Sequence, residues 1–173
     1  EVADAVKPDA KQAVADLKKA GVKRVVMLTG DNEAIAKRVA AELGIDEVHA
    51  ELLPDGKVDC AEKIMQEGGT TAFVGDGVND APLLARADVG IAMGALGSDA
   101  AIEAADVVIM NDEPSRIALA MAIARKTMAI VRGNVVLSLA VKFAVLVLAA
   151  LGVVGMWTAV FADVGVAMLA ILN

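Results

Sequence analysis

Residues 1–113 predict an α/β domain on a parallel, doubly wound sheet, and residues 135–173 predict a transmembrane helical hairpin. Three observations carry this. Short apolar runs alternate with amphipathic stretches at least four times before residue 112, the rhythm of a parallel sheet with crossover helices. Several runs end in loops that pair Gly with Thr, Asp or Asn. Charge is also confined: of 16 Lys+Arg and 23 Asp+Glu in 173 residues, only Lys142 and Asp163 fall in residues 135–173.

The elements follow in order. Pro8 to Ala20 reads as an amphipathic helix with Ala10, Ala13, Val14 and Leu17 on one face. Pro near its start and Gly21 at its end are what helix boundaries prefer. Arg24 to Leu28 is a short apolar run that suits a strand buried on both faces of a parallel sheet, and it leads into Thr29-Gly30-Asp31-Asn32. Residues 33–43 are helical and stop at Gly44. Glu47 to Leu52 is a weak strand and Gly56 to Gln66 a helix. Thr71 to Val74 is a strand running into Gly75-Asp76-Gly77. Residues 80–86 form a helix, 88–92 a strand, 98–104 a helix and 106–110 a strand.

Ser115 to Asn134 reads as one basic connecting helix carrying Arg116, Arg125, Lys126 and Arg132. The next 38 residues are apolar. As one helix they span about 57 Å, nearly twice the ~30 Å hydrocarbon core. A break at Gly152-Val153-Val154-Gly155 gives two spans, about 135–151 and 156–172, of about 26 Å each. The basic cluster before them predicts that the preceding side is cytoplasmic.

Composition excludes several classes. With 57% hydrophobic residues and a mean hydropathy of +0.62, the chain is more apolar than the roughly 45–50% of soluble domains and is not low-complexity disorder. A net charge of −7 and 2% aromatic residues argue against nucleic acid as a partner. One Cys and one His make neither a disulfide nor a His/Cys zinc cluster within the chain, and Cys60 reads as a core thiol. Glu1 to Lys11 shows no apolar signal-peptide core.

Three loops stand where ligands bind in parallel sheets, beyond the carboxyl ends of strands. In Thr29-Gly30-Asp31, Gly admits close backbone approach and Thr offers a hydroxyl to a phosphate oxygen; an ordinary turn with a helix cap reads equally well. In Pro54-Asp55-Gly56-Lys57, the Lys suits a phosphoryl group as a point charge, although a lone surface Lys is more often merely solvated. Gly75-Asp76-Gly77-Val78-Asn79-Asp80-Ala81-Pro82 is more specific. Asp76 and Asp80 present hard oxygens toward one point, which suits Mg²⁺ with its one or two carboxylates, waters and a phosphate oxygen.

In this order the three motifs resemble the phosphorylation domain of P-type ATPases, a branch of the haloacid-dehalogenase superfamily, and the tail resembles the terminal membrane pair of its heavy-metal transporters. The resemblance implies a partial haloacid-dehalogenase-like sheet followed by the hairpin. It implies that Thr29, Gly30 and Asp31 line a phosphate site and that Lys57 holds phosphoryl oxygens. Asp76 ligates Mg²⁺, with Asn79 and Asp80 completing that site. ATP is bound mainly by a domain outside this sequence. The family's phosphate acceptor lies in Asp-Lys-Thr-Gly-Thr, which does not occur here. The chain thus reads as the carboxyl-terminal part of a multi-pass plasma-membrane pump, apart from its actuator, nucleotide-binding domain and earlier membrane helices, and inactive by itself.

Lys142 and Asp163 lie about 17 and 14 Å from the predicted turn along adjacent helices, near the middle of the bilayer, so they can neutralise each other. Charges at that depth point to function. The sequence Met156-Trp157 to Phe161-Ala162-Asp163-Val164-Gly165 resembles the zinc/cadmium/lead branch. That implies Asp163 as ligand of the transported cation and Lys142 as its internal counter-ion; a structural salt bridge is the plainer alternative. The other classes weighed are a membrane-anchored phosphatase of the same superfamily and a non-catalytic module binding Mg²⁺ or phosphate.

Overall fold

A computed structural model describes residues 6–75, 78–94, 99–111 and 113–172. Asp76 and Gly77 lie outside the described residues. The chain divides into two compact units, residues 1–120 and 121–173.

In the first unit α1 (Ala10–Lys19) ends with Lys18 and Lys19 against the negative end of the helix dipole and is followed by Gly21 at φ +93°. The apolar strand β1 (Val26–Leu28) runs into α2 (Glu33–Leu43), where the Asn32 side chain accepts the Ala34 N–H at 2.8 Å. Left-handed Gly44 ends α2, and β2 (Glu47–His49) follows. The next helix, α3 (Pro54–Gln66), begins two residues ahead of the predicted Gly56, because Pro54 at its first position has φ preset and no N–H to satisfy. Then come β3 (Ala72–Gly75), a 3₁₀ turn (Val78–Asp80), α4 (Ala81–Arg86), β4 (Val89–Met93), α5 (Asp99–Ala104) and β5 (Val107–Ile109).

Among the described residues all strand pairs are parallel, and they form two ladders, β1–β2 and β3–β4–β5. The prediction that residues 24–28 are buried on both faces is corrected here. Val26, Met27 and Leu28 are only half-buried, and among the described residues β1 has a strand neighbour along one edge only. The strand buried on both faces is β4, flanked by β3 and β5. Its Ile91 and Met93 pack with Ile109, Ile117 and Leu17, while Ala92 packs with Leu84, Ala101 and Phe73. Gly90 is obligatory in β4, because a Cβ there collides with the Leu84 carbonyl of α4. Cys60 is half-buried on α3, outside both clusters.

One device sets the strand starts. Asp46, just before β2, accepts the Val25 N–H at 2.8 Å; Asp88, before β4, accepts the Thr71 N–H at 2.7 Å; Asp106, before β5, accepts the Gly90 N–H at 2.8 Å. Main-chain bonds return the other way, from Asp46 and Glu47 N–H to Val25, Val89 N–H to Thr71 and Asp106 N–H to Gly90. Each aspartate clips its own strand to its neighbour one residue ahead of the first paired residues of the ladder.

α6 (Ser115–Ala150) is continuous through Gly133 and Asn134, where the sequence reading divided a connecting helix from a span. The change there is one of composition only: no Pro interrupts the backbone. Its first turn belongs to the first unit, with Ile117 in the core and the Ser115 N–H donated to Asp9 Oδ2 at 3.1 Å. In the second unit, residues 151–155 form the turn with Gly152 at φ +71°, and α7 (Met156–Leu172) follows. Among the described residues α6 alone is long and apolar enough by composition to cross a membrane; α7, at about 26 Å, is slightly short of the ~30 Å core. The half-buried positions form one stripe per helix: Asn134, Ser138, Val141 and Val145 on α6, and Ala159, Ala162 and Ala170 on α7, joined by fully buried Val166. Large side chains point outward, with Leu139, Phe143, Leu146, Trp157 and Phe161 between 63% and 73% exposed.

The aspartate clips are open to two stability tests. Asp106→Ala strands the Gly90 N–H and is expected to cost about 1–3 kcal/mol, read from urea denaturation. The Lys18 ammonium, 2.6 Å from Asp46, and the Val25 N–H hold the Asp46 carboxyl below the ordinary carboxylate range. A lowered folded-state value gives stabilisation that is present at neutral pH and lost as pH falls through it. The melting-temperature gap between wild type and Asp46→Asn should therefore narrow between about pH 7 and about pH 3.

Candidate functional site

The Thr29–Asn32 loop is held by main-chain bonds to the segment that enters α3: Thr29 N–H to His49 at 3.0 Å, Leu52 N–H to Thr29 at 3.1 Å and Glu51 N–H to Asp31 at 2.9 Å. A Cβ on Gly30 meets the Leu52 carbonyl oxygen at 3.3 Å, so glycine permits this approach. The Thr29 hydroxyl donates to Asp31 Oδ2 at 2.8 Å and accepts the Asp31 N–H at 3.1 Å, closing a local turn. Asn32 caps α2. The turn-and-cap reading of this motif is thus realised, and an incoming anion has to redirect the Thr29 hydroxyl to be bound by it.

Lys57 and Asp80 are brought together. Lys57 stands in the first turn of α3 with its ammonium 3.9 Å from Asp80 Oδ1, and the two side chains are 30% and 15% exposed. Asp80 occupies the cap position of α4, yet its side chain makes no capping bond. Its carboxyl group instead overlies the end of β3, where a Cβ on Gly75 falls 2.8 Å from Asp80 Cβ and 3.0 Å from Oδ2. Gly75 clears the space for this carboxylate. Asn79 is exposed in the 3₁₀ turn. Among the described residues no hydrogen bond or ion pair joins Thr29, Gly30 or Asp31 to Lys57 or Asp80, and Asp76 lies outside them.

This donor set fits Mg²⁺. Among the described residues no group of three or more His, Cys, Asp or Glu can hold a metal ion. Mg²⁺ does not need one, since it takes one or two carboxylates and fills its remaining positions with water and phosphate oxygens. Asp80, withdrawn from solvent and uncommitted to its helix cap, has the chemistry that such a ligand needs.

In the second unit, Lys142 Nζ lies 2.9 Å from Asp163 Oδ1, joining α6 to α7. Leu139, Ala140, Phe143 and Leu146 border Lys142 along an open groove of about 650 Å³. A second bond joins the same helices, from Asn134 Nδ2 to the Ala170 carbonyl at 3.0 Å. The sequence reading had no role for Asn134, nor for Asp46, Asp88 and Asp106. The available signals were an amide amid apolar residues and an Asp placed just before each Val-rich strand.

A parallel sheet with loops of this composition defines a class that the comparisons name. The family profile of haloacid dehalogenase-like hydrolases matches residues 1–88, and a second profile of the same description matches residues 59–121. The chain belongs to the haloacid dehalogenase-like hydrolase family. Within it, the chain is 58% identical to a zinc-transporting ATPase of Synechocystis sp. over 99% of its own length and 24% of that protein. It is 53% identical to a cadmium, zinc and cobalt-transporting ATPase of Bacillus subtilis, over 99% of its length and 25% of that protein. The crystal structure of a zinc-transporting PIB-type ATPase in the E2·Pi state superimposes with a TM-score of 0.89 at 40% identity, covering 96% of this chain and 27% of that one. The chain is therefore homologous to zinc- and cadmium-transporting P-type ATPases along nearly its whole length, and it spans about a quarter of theirs.

Gly75→Ala tests the cradle. The added methyl has to displace Asp80, so the substitution should cost about 1–3 kcal/mol of stability. It should also shift the Asp80 and Lys57 NMR resonances while leaving those of β1 and β2 in place.

Proposed function

We propose that this chain is part of an ATP-driven pump that exports Zn²⁺, Cd²⁺ or Pb²⁺ and forms an aspartyl-phosphate in the whole protein. The observation that carries the reading is the 2.9 Å Lys142–Asp163 pair set among apolar residues. A charge in hydrocarbon is costly, and a tethered phosphatase or a passive Mg²⁺ module gives it no task. In the pump, the Asp163 carboxylate binds the transported cation, and Lys142 takes the cation's place once it leaves. The outward side of the pair is where earlier membrane helices of the pump add further ligands.

At the phosphate site, Lys57 neutralises phosphoryl oxygens, and Thr29, Gly30 and Asp31 line the pocket together with Asn79. Asp76 and Asp80 hold Mg²⁺, which supplies compensation of phosphate charge when bound. ATP docks mainly on a nucleotide-binding domain, and the acceptor Asp lies in an Asp-Lys-Thr-Gly-Thr segment, both outside this sequence. The apolar surfaces of α6 and α7 face lipid as a two-span hairpin in the plasma membrane. Arg116, Arg125, Lys126 and Arg132 keep residues 1–134 cytoplasmic.

The deciding experiment is a double substitution in the full-length pump. Asp163→Asn alone should abolish zinc-stimulated ATPase, whereas Lys142→Ala should retain zinc binding and slow turnover. Asp163→Asn with Lys142→Met removes both charges and should recover expression without zinc-stimulated ATPase. Restored activity in that variant overturns the role of Asp163, because a structural salt bridge is replaceable by a neutral pair. At the other site, Lys57→Ala should lower phosphoenzyme formation by about 100-fold or more with little change in melting temperature.

A further inference from the structure

The Asn134–Ala170 and Lys142–Asp163 bonds between α6 and α7 constrain the hairpin differently. Eight residues separate Asn134 from Lys142 on α6 and seven separate Asp163 from Ala170 on α7, so both bonds fit one antiparallel register. The Lys142 ammonium rides on a flexible four-carbon stem and can follow a carboxylate that moves by several ångströms. The Asn134 carboxamide is short, and its acceptor is fixed in the main chain. The apolar surroundings do not choose a register by themselves. A slip of one helical turn, about 5.4 Å, exchanges one alanine or valine of the stripe for another. The same slip of α7 away from the connecting turn puts Val166 opposite Asn134, and its mid-helix carbonyl is engaged in the ladder of α7. Losing the Ala170 acceptor forfeits an interhelical bond of the half-buried carboxamide.

We propose that Asn134 is a positioning residue: its bond to the Ala170 carbonyl fixes the register of α7 on α6 in which Lys142 stands opposite Asp163. The inference rests on the pump reading only for what that register serves, namely the exchange of Lys142 for the cation at Asp163. In these terms Asn134 touches no ion. It sets how closely the counter-ion matches the ligand.

The test separates register from transport. Cys60 is the only cysteine in the sequence, so Cys60→Ser gives a clean background for disulfide trapping of the 173-residue chain in phospholipid vesicles. Ser138→Cys with Val166→Cys reports the observed register, and Ser138→Cys with Ala162→Cys reports a one-turn slip. Adding Asn134→Leu should shift the yield ratio toward the slipped pair by about threefold or more, the size of a typical interhelical hydrogen bond in a membrane. Asn134→Gln, which keeps the amide donor, should restore most of the original ratio. In the full-length pump, Asn134→Leu should raise the KM for zinc in ATPase assays by about threefold while kcat stays near wild type. A trapping ratio unchanged by Asn134→Leu overturns the proposal, as does equal loss with Asn134→Leu and Asn134→Gln. If Asp163→Asn keeps its zinc response while the trapping ratio still shifts, the cation role fails and the register assignment stands.

Discussion

Parallel strands begin with main-chain groups that the ladder alone leaves unpaired, and the whole first unit depends on how those are met. Asp46, Asp88 and Asp106 each receive the N–H at the start of the neighbouring strand. A clip one residue ahead of the first pair fixes where every later residue of the strand falls. With registers such as Ala72 opposite Val89 and Gly75 opposite Ala92 established, the carboxyl ends of the strands are also set. Those ends deliver Gly75 beneath Asp80 and Asp80 toward Lys57. The ligand side of the sheet is thus determined at its opposite edge, by residues with no part in the chemistry.

The second unit inverts this logic. In the first, apolar side chains are gathered inside and aspartates hold the rim. In the second, alanine, valine and polar side chains lie between the helices while leucine, phenylalanine and tryptophan face outward. Where the solvent is itself apolar, outward leucines gain nothing from meeting one another, and polar bonds carry the specificity of helix pairing. Among the described residues, two such bonds join α6 to α7. One is neutral and short, the other charged and long, and only the charged one offers a carboxylate that a cation could claim.

Much of this was legible in the residues. Helix limits such as Asn32 and Gly44 around α2 were readable, because capping is local chemistry that a few residues specify. The alternation of strand and helix, and the motifs on the loops, gave the family. The extent of burial was less readable. Arg24 to Leu28 and Val89 to Met93 look alike as apolar runs, yet among the described residues only the second has a strand on each side, a nonlocal fact. The continuity of α6 through Asn134 was missed because a change in composition resembles a boundary although the backbone bonds ignore it. The Lys57–Asp80 approach needed α3 and the turn after β3 in three dimensions. Asn134 was passed over because one amide in an apolar stretch signals nothing until its partner, 36 residues away, is known.

The division of the strands into two ladders has a kinetic meaning. β1, α2 and β2 form one local crossover, closed by Asp46, while β3, α4, β4, α5 and β5 form the next, closed by Asp88 and Asp106. Pairings that join neighbours in sequence lose little chain entropy on closure, so each group can assemble early and independently. The later ladder, with the buried strand β4 at its centre, is the more cooperative of the two. Amide protons of β4 should outlast those of β1, and local opening of the first ladder can proceed without unravelling the second.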